Sequence, residues 1–293
     1  MEPNIVILAG GISSRMKKSV SASEKIDAAL LRDAQEKSKA MIGVGERHRP
    51  FLDYLLYNIR ESGYRDVVIV VGERDHTLRE YYGKADRNNS FHGLIISYAI
   101  QTIPEGRTKP LGTVDAVQQA LLLRTDWRGK KFTVCNSDNL YTQRALTLLL
   151  RTSHKGAMID YDRRALLFDH ARIEQFSVTK KNADGFLTNI IEKPSPEEIA
   201  RATDSNGRIG ISMNIFRLSY DIILPVLGRV PFHPVRQEKE LPIAVAMMAA
   251  EDTTSMMTIP LSEHVPDLTH PGDIVPVQEF LKREFADFSW DKA

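Results

Sequence analysis

Residues 7–18, ILAGGISSRMKK, put two glycines, an arginine and two lysines at the end of a short apolar run. Gly10 and Gly11 lack the Cβ atoms that keep a ligand off the backbone. Their bare N–H groups are suited to an anion, and Arg15 adds a fork of donors. Two familiar phosphate loops fail here. A dinucleotide fingerprint needs a third glycine where Arg15 stands, and a Walker loop needs glycine at Met16 and Ser or Thr at Lys18. A tight turn without a ligand is the plain alternative.

Carboxylates and an amide recur at similar places. Asp138 lies in Asn136-Ser137-Asp138-Asn139, directly after an apolar run. Buried there it wants a partner, a metal or solvent, although an Asp-Asn turn accounts for it equally well. Asp267 and Asp273 precede the last helix, where capping explains both. Converging on one point, Asp138 and Asp267 would instead suit Mg²⁺, which takes one or two carboxylates beside substrate phosphates. Glu192-Lys193-Pro194 ends a strand that Pro194 stops, and a solvated charge pair is its simplest reading. Gln101 precedes the turn Lys109-Pro-Leu-Gly112-Thr113, and a primary amide, donor and acceptor together, suits the imide edge of uracil or thymine. The eight histidines show no metal-ligand spacing, and no Ser-His-Asp arrangement is visible, which disfavours nucleophilic catalysis by a side chain.

The elements that must position these groups alternate strand and helix in the first half. Apolar runs at 5–8, 67–71, 94–98 and 132–135 read as strands, with helical patterns at 51–59 and 114–122 between them. Such βαβ units imply a mostly parallel sheet that binds ligands at the C-terminal ends of its strands. Beyond about residue 156 the strands crowd together, at 171–179, 186–191, 209–216 and 256–260, with helices at 220–228, 238–251 and 272–286. The expected class is therefore α/β: a Rossmann-like sheet flanked by helices, with a mixed or antiparallel extension. One domain over 1–293 is expected, with halves at 1–155 and 156–293. Residues 19–38 read as an inserted helix with a Ser21/Glu24 capping box and a stripe of Ile26, Ala29, Leu30 and Ala34. It is either a solvated amphipathic helix or a lid or subunit contact.

Bulk properties narrow the function classes. Of 293 residues, 42% are hydrophobic and 26% charged, as in ordinary globular proteins, and the net charge of +1 suggests no nucleic-acid partner. No apolar stretch reaches the roughly 20 residues that span a bilayer, and no signal-peptide pattern is seen. The single cysteine, Cys135, sits in an apolar strand, so a buried inert thiol and a cytoplasmic location are expected.

Taken in order, these motifs resemble the sugar-1-phosphate nucleotidyltransferases over nearly the whole chain. Leu8-Ala-Gly-Gly-Ile-Ser-Ser-Arg-Met16 is similar to the family's signature loop, and Lys39-Ala-Met-Ile-Gly-Val with Arg49-Pro-Phe-Leu-Asp-Tyr to its lysine segment and next helix. Gln101 with Pro110-Leu-Gly-Thr-Val-Asp-Ala116, then Asp138, Glu192-Lys-Pro194, and Asp267 with Pro271 complete the likeness. The resemblance implies transfer of a nucleotidyl group from a nucleoside triphosphate, UTP or dTTP by the Gln101 argument, to a sugar-1-phosphate, releasing pyrophosphate. A phosphate monoester with a second pKa of about 6 needs no general base, so positioning and charge stabilisation carry the reaction. By resemblance, Leu8, Ala9, Gly10, Gly11, Gln101, Gly112 and Thr113 bind the nucleotide, with Arg15 on its β- and γ-phosphates and Lys39 near the α-phosphorus. Asp138 and Asp267 hold Mg²⁺, Lys193 the sugar phosphate, and Glu192 and Asn214 the sugar. Ser38 and Ser137 stand where the family usually has proline and glycine. A cytidylyltransferase of the same superfamily, an inactive nucleotide-sensing homologue and a dinucleotide oxidoreductase are the rival readings, and self-association through the insertion or terminal helices is open.

Overall fold

The computed structural model describes residues 2–11, 16, 26–73 and 75–291. Arg15 and the Ser21/Glu24 capping box lie outside the described residues. Strand β1 (Asn4–Leu8) runs parallel to β2 (Asp66–Gly72) on one side and β5 (Lys131–Asn136) on the other. Strand β4 (Leu94–Gln101) continues the parallel set beyond β2, and the short β3 (Asn89–Phe91) covers part of that edge antiparallel. Alternate residues of β1 feed two cores: Ile5 and Ile7 face one apolar cluster and Val6 the other. The first includes Leu52, Leu55, Leu56 and Ile59 of α2 (Phe51–Glu61), Leu146 and Leu149 of α5 (Gln143–Arg151), and the buried Leu30 and Ala34 of α1 (Ala28–Glu36). The second includes Val114 and Val117 of α4 (Thr113–Leu123) and Val245 and Met248 of α9 (Leu241–Glu251). Strands buried on both faces read as unbroken apolar runs, and β1 and β2 are of this kind.

The sheet continues without interruption into the second half. Strand β10 (Phe216–Ser219) lies antiparallel between β5 and β6 (Gly156–Asp162). Strand β6 also pairs in parallel with β11 (Met256–Leu261) and antiparallel with β9 (Gly210–Ile211), and β7 (Val178–Lys181) with β8 (Leu187–Ile191) completes the extension. The α/β class with a mixed extension is thus observed.

Several boundaries differ from the sequence reading. The run 171–179, expected as one strand, opens with the short helix α6 (His170–Ile173), because the Asp169 side chain caps Arg172 N at 2.8 Å; strand geometry starts only at Val178. The run 209–216 is broken into β9 and β10 by a turn in which Asn214 takes φ +54°, a conformation that asparagine tolerates better than most residues. Helix α9 starts at Leu241 rather than 238, with Pro242 in its first turn, where a missing N–H costs nothing. Helix α1 starts at Ala28, with the Asp27 side chain accepting from Ala29 N at 2.8 Å. Its Leu30 and Ala34 pack into the core while Arg32, Gln35 and Glu36 stay exposed, the two faces of an amphipathic helix.

Candidate active site

The parallel strands deliver their polar termini to one edge. Leu8 pairs with Asn136, and Gly72 with Gln101, so the turns after β1, β4 and β5 open side by side. Between β1 and β5 the chain order runs off in opposite directions, the place where open sheets of this kind leave a crevice. Two cavities meet there. One of about 420 Å³ is lined by Leu8, Gly10, Gly11, Lys39, Gln101, Gly112, Thr113, Asn136, Asp138, Glu192, Asn214 and Arg236. The other, about 820 Å³, shares Gly10, Gly11 and Gln101 with it and continues past Ala9, Glu36, Ser38, Glu73, Asp75 and Glu105. Glu36 and Ser38 bring the end of the inserted segment into that wall.

Gln101 occupies the junction and is 4% exposed. Its Nε2 donates to the Gly112 carbonyl and to Asp115 Oδ2, both at 2.8 Å. Both partners accept only, so the NH₂ end must face them and Oε1 faces away, against Gly10. The expected reading of a base edge by donor and acceptor together is therefore corrected: the donor is committed inside the protein, and Gln101 presents an acceptor alone. A Cβ at position 10 would sit 2.9 Å from Oε1, so glycine is required by this packing as well as by any ligand. Gly112 adopts φ +109°, with the Lys239 backbone against its Cα, and Thr113 Oγ1 accepts from Leu241 N at 2.8 Å.

The two expected metal carboxylates converge. An antiparallel bridge joins Asn139 and Asp267; Leu268 N donates to Asp138 O at 2.8 Å, and Leu140 N to Pro266 O at 2.9 Å. Asp138 and Asp267 thus line one small cavity of about 180 Å³ together with Asn214 and Thr269. Lys39 is aimed by its buried neighbours Ala40 and Met41, and its Nζ meets Asp138 Oδ2 at 2.7 Å. The Asp267 carboxyl is pushed up to about 6, first by burial and then by the charge of Asp138. Thr269 Oγ1 donates to its Oδ1 at 2.5 Å and Arg172 to its Oδ2 at 2.7 Å. Asp273, expected as a cap, accepts from Thr269 N and His270 N at 2.8 and 2.6 Å and also anchors Arg172. No group of three or more His, Cys, Asp or Glu suited to a metal occurs among the described residues. Two adjacent carboxylates, one disfavoured as an anion by the other, still fit Mg²⁺, which completes its shell with water and phosphate oxygens.

On the far side, Glu192 pairs with Arg236 at 3.0 Å, and Arg236 also with Glu240 at 2.6 Å. Lys193, the expected grip on a sugar phosphate, is exposed at φ +47° and does not line either cavity; the guanidinium facing this end belongs to Arg236. The sequence reading missed Arg236, Arg172 and Asp115. The charged run Arg236-Gln-Glu-Lys-Glu240 ahead of a helix was a usable signal for the first, but nothing near Arg172 announced its partners, 95 and 101 positions away. Cys135 is buried, as expected, and burial pushes its thiol far above the ordinary range.

Residues 34–220 match the family model described as nucleotidyl transferase. The chain is 26% identical over 136 residues to D-glycero-alpha-D-manno-heptose 1-phosphate guanylyltransferase of Aneurinibacillus thermoaerophilus, an alignment that spans about half of either protein, 46% of each. Its fold matches that of UDP-glucose pyrophosphorylase, solved in complex with UDP-glucose, with a TM-score of 0.69 at 14% identity, over 97% of this chain and 100% of that one. With a glycine turn, a lysine and two convergent aspartates at one edge of the sheet, and with the family model spanning most of its length, this chain belongs to the nucleotidyl transferase family.

Proposed function

We propose that the protein transfers a nucleotidyl group from a nucleoside triphosphate to a sugar-1-phosphate. A phosphate oxygen of the acceptor attacks the α-phosphorus in line, the bond to the β-phosphate's bridging oxygen breaks, and pyrophosphate departs without a covalent enzyme intermediate. The observation that carries this reading is the meeting of Asp138 and Lys39 at the cavity that Gly10 and Gly11 open, with Asp267 beside Asp138 in the small cavity next to it. Asp138 and Asp267 would hold Mg²⁺, which when bound supplies positive charge to the phosphates. The amides around Gly10 and Gly11 bind the nucleotide, with Arg15 assigned to its β- and γ-phosphates. Lys39 leaves Asp138 to neutralise charge near the α-phosphorus. At the sugar end Glu192 and Asn214 accept and donate to hydroxyls. Arg236 joins Lys193 as a cation for the acceptor's phosphate. No side chain is asked to take a proton.

Gln101 Oε1 selects a base whose ring nitrogen carries a hydrogen. UTP and dTTP satisfy this, and so does GTP, the nucleotide class that the guanylyltransferase relative brings into the comparison. The same chain is read as one domain with a nucleotide half and a sugar half. No described helix is long and apolar enough to cross a membrane, and a buried free thiol fits a cytoplasmic enzyme. Pyrophosphate release, measured with UTP, dTTP, GTP, CTP and ATP against a panel of sugar-1-phosphates in Mg²⁺, tests the reading. Release that requires both substrates supports it; no release with any pair overturns it.

A further inference from the structure

We propose that Asp115 is a positioning residue that sets base selectivity by locking the amide of Gln101; this rests on the nucleotidyltransfer reading. Asp115 lies in the first turn of α4, half-buried, two residues after Thr113. Its Oδ2 accepts from Gln101 Nε2 at 2.8 Å, and its Oδ1 accepts from Gln119 Nε2 at 3.1 Å. The Gly112 carbonyl takes the other hydrogen of the same Nε2, also at 2.8 Å. An unrestrained primary amide turns over readily, because its two ends are nearly the same size and shape. Here a turn of 180° would set Oε1 against a carboxylate and a carbonyl and leave Nε2 against Gly10. Leaving a buried donor unpaired while opposing acceptor to acceptor costs several times a net hydrogen bond. The carboxylate thereby decides which end of Gln101 the nucleotide meets.

The consequence is chemical. An acceptor fixed at the junction of the two cavities receives the ring N–H of uracil, thymine or guanine. At the corresponding ring position cytosine and adenine present a lone pair, which faces Oε1 unfavourably. With Asp115 removed, one hydrogen of Nε2 loses its partner and the flipped amide becomes accessible, so a base with a ring lone pair gains a donor. A site built to pair with one hydrogen-bonding pattern rejects the other strongly only while its own groups cannot rearrange.

The test is equilibrium binding of the five triphosphates, by displacement of a fluorescent nucleotide analogue, in wild type, Asp115→Ala, Asp115→Asn and Gln101→Ala. Wild type is expected to prefer at least one of UTP, dTTP and GTP over CTP and ATP by tenfold or more. Asp115→Ala lowers that ratio about tenfold. Asp115→Asn restores it to within about threefold, since its Oδ1 can accept from Gln101 once Gln119 turns its own amide. Gln101→Ala abolishes the preference. If Asp115→Ala melts below the assay temperature, Asp115→Ser, too short to reach Gln101, takes its place with the same expected ratio. Equal weakening of all five triphosphates, or an unchanged ratio in the Ala and Ser variants, overturns the lock alone. Wild type that binds none of the five overturns the nucleotide reading and the lock with it.

Discussion

Asp267→Asn, studied without divalent metal in EDTA, isolates what it costs this fold to keep a carboxylate at that position. Burial is the larger cause of the raised Asp267 carboxyl and the Asp138 charge the next, opposed by donors from Thr269 and Arg172; the result is about 6 against an ordinary 3.8. At ~1.4 kcal/mol per pH unit, that interval corresponds to roughly 3 kcal/mol. The side chain is only 12% exposed, so solvent screening removes little of it. The folded carboxyl holds its proton more tightly than the unfolded one. Its contribution to stability is therefore complete below pH 3.8 and lost as the pH rises through about 6. At pH 7.5 wild type carries the whole penalty; asparagine never ionises, and its one oxygen still accepts from Thr269 or Arg172. The unfolding free energy of Asp267→Asn minus that of wild type should be near zero close to pH 4 and rise by as much as ~3 kcal/mol in the variant's favour by pH 7.5. Pyrophosphate release should meanwhile be lost. Urea titrations at several pH values between 4.5 and 7.5 measure the difference. A difference that stays flat, or that shrinks as the pH rises, refutes the claim that burial and the neighbouring Asp138 dominate.

Other outcomes follow from the same geometry. Asp138→Ala should lower pyrophosphate release at least ~100-fold, as expected for a group that stabilises transition-state charge. Its unfolding free energy should fall by less than about 2 kcal/mol, because the loss of Lys39's ion partner is offset by removal of the charge that disfavours the Asp267 carboxylate. Gly10→Ala puts a methyl group 2.9 Å from Gln101 Oε1; stability should drop by about 1–3 kcal/mol and the KM for the triphosphate should rise, both measurable on one preparation. Arg236→Ala should raise the KM for the sugar phosphate by about tenfold or more, the worth of a charge-assisted hydrogen bond, while the KM for the triphosphate changes little. The same measurement on Lys193→Ala ranks the exposed lysine against the guanidinium that faces the cavity.

The sequence by itself determined the parallel half of the sheet, because residues buried on two faces must be apolar throughout, and runs such as 67–71 show this without any partner being known. It also marked strand ends at Gly10, Gln101, Asp138 and Glu192, where polar residues or glycine replace the apolar run, and the family resemblance joined these ends in one expected site. It misplaced the boundaries in 171–179 and 209–216, where a side-chain cap and a left-handed asparagine interrupt apolar patterns that read as continuous. Only the tertiary structure decided orientation and pairing. Which end of Gln101 faces outward depends on a carbonyl 11 and a carboxylate 14 positions away. The pairing of Arg172 with Asp267 spans 95 positions, and that of Arg236 with Glu192 spans 44. Residue type records what a side chain can donate or accept. Which donors and acceptors remain free for a ligand is settled only when the folded chain has brought the competing partners within hydrogen-bond reach.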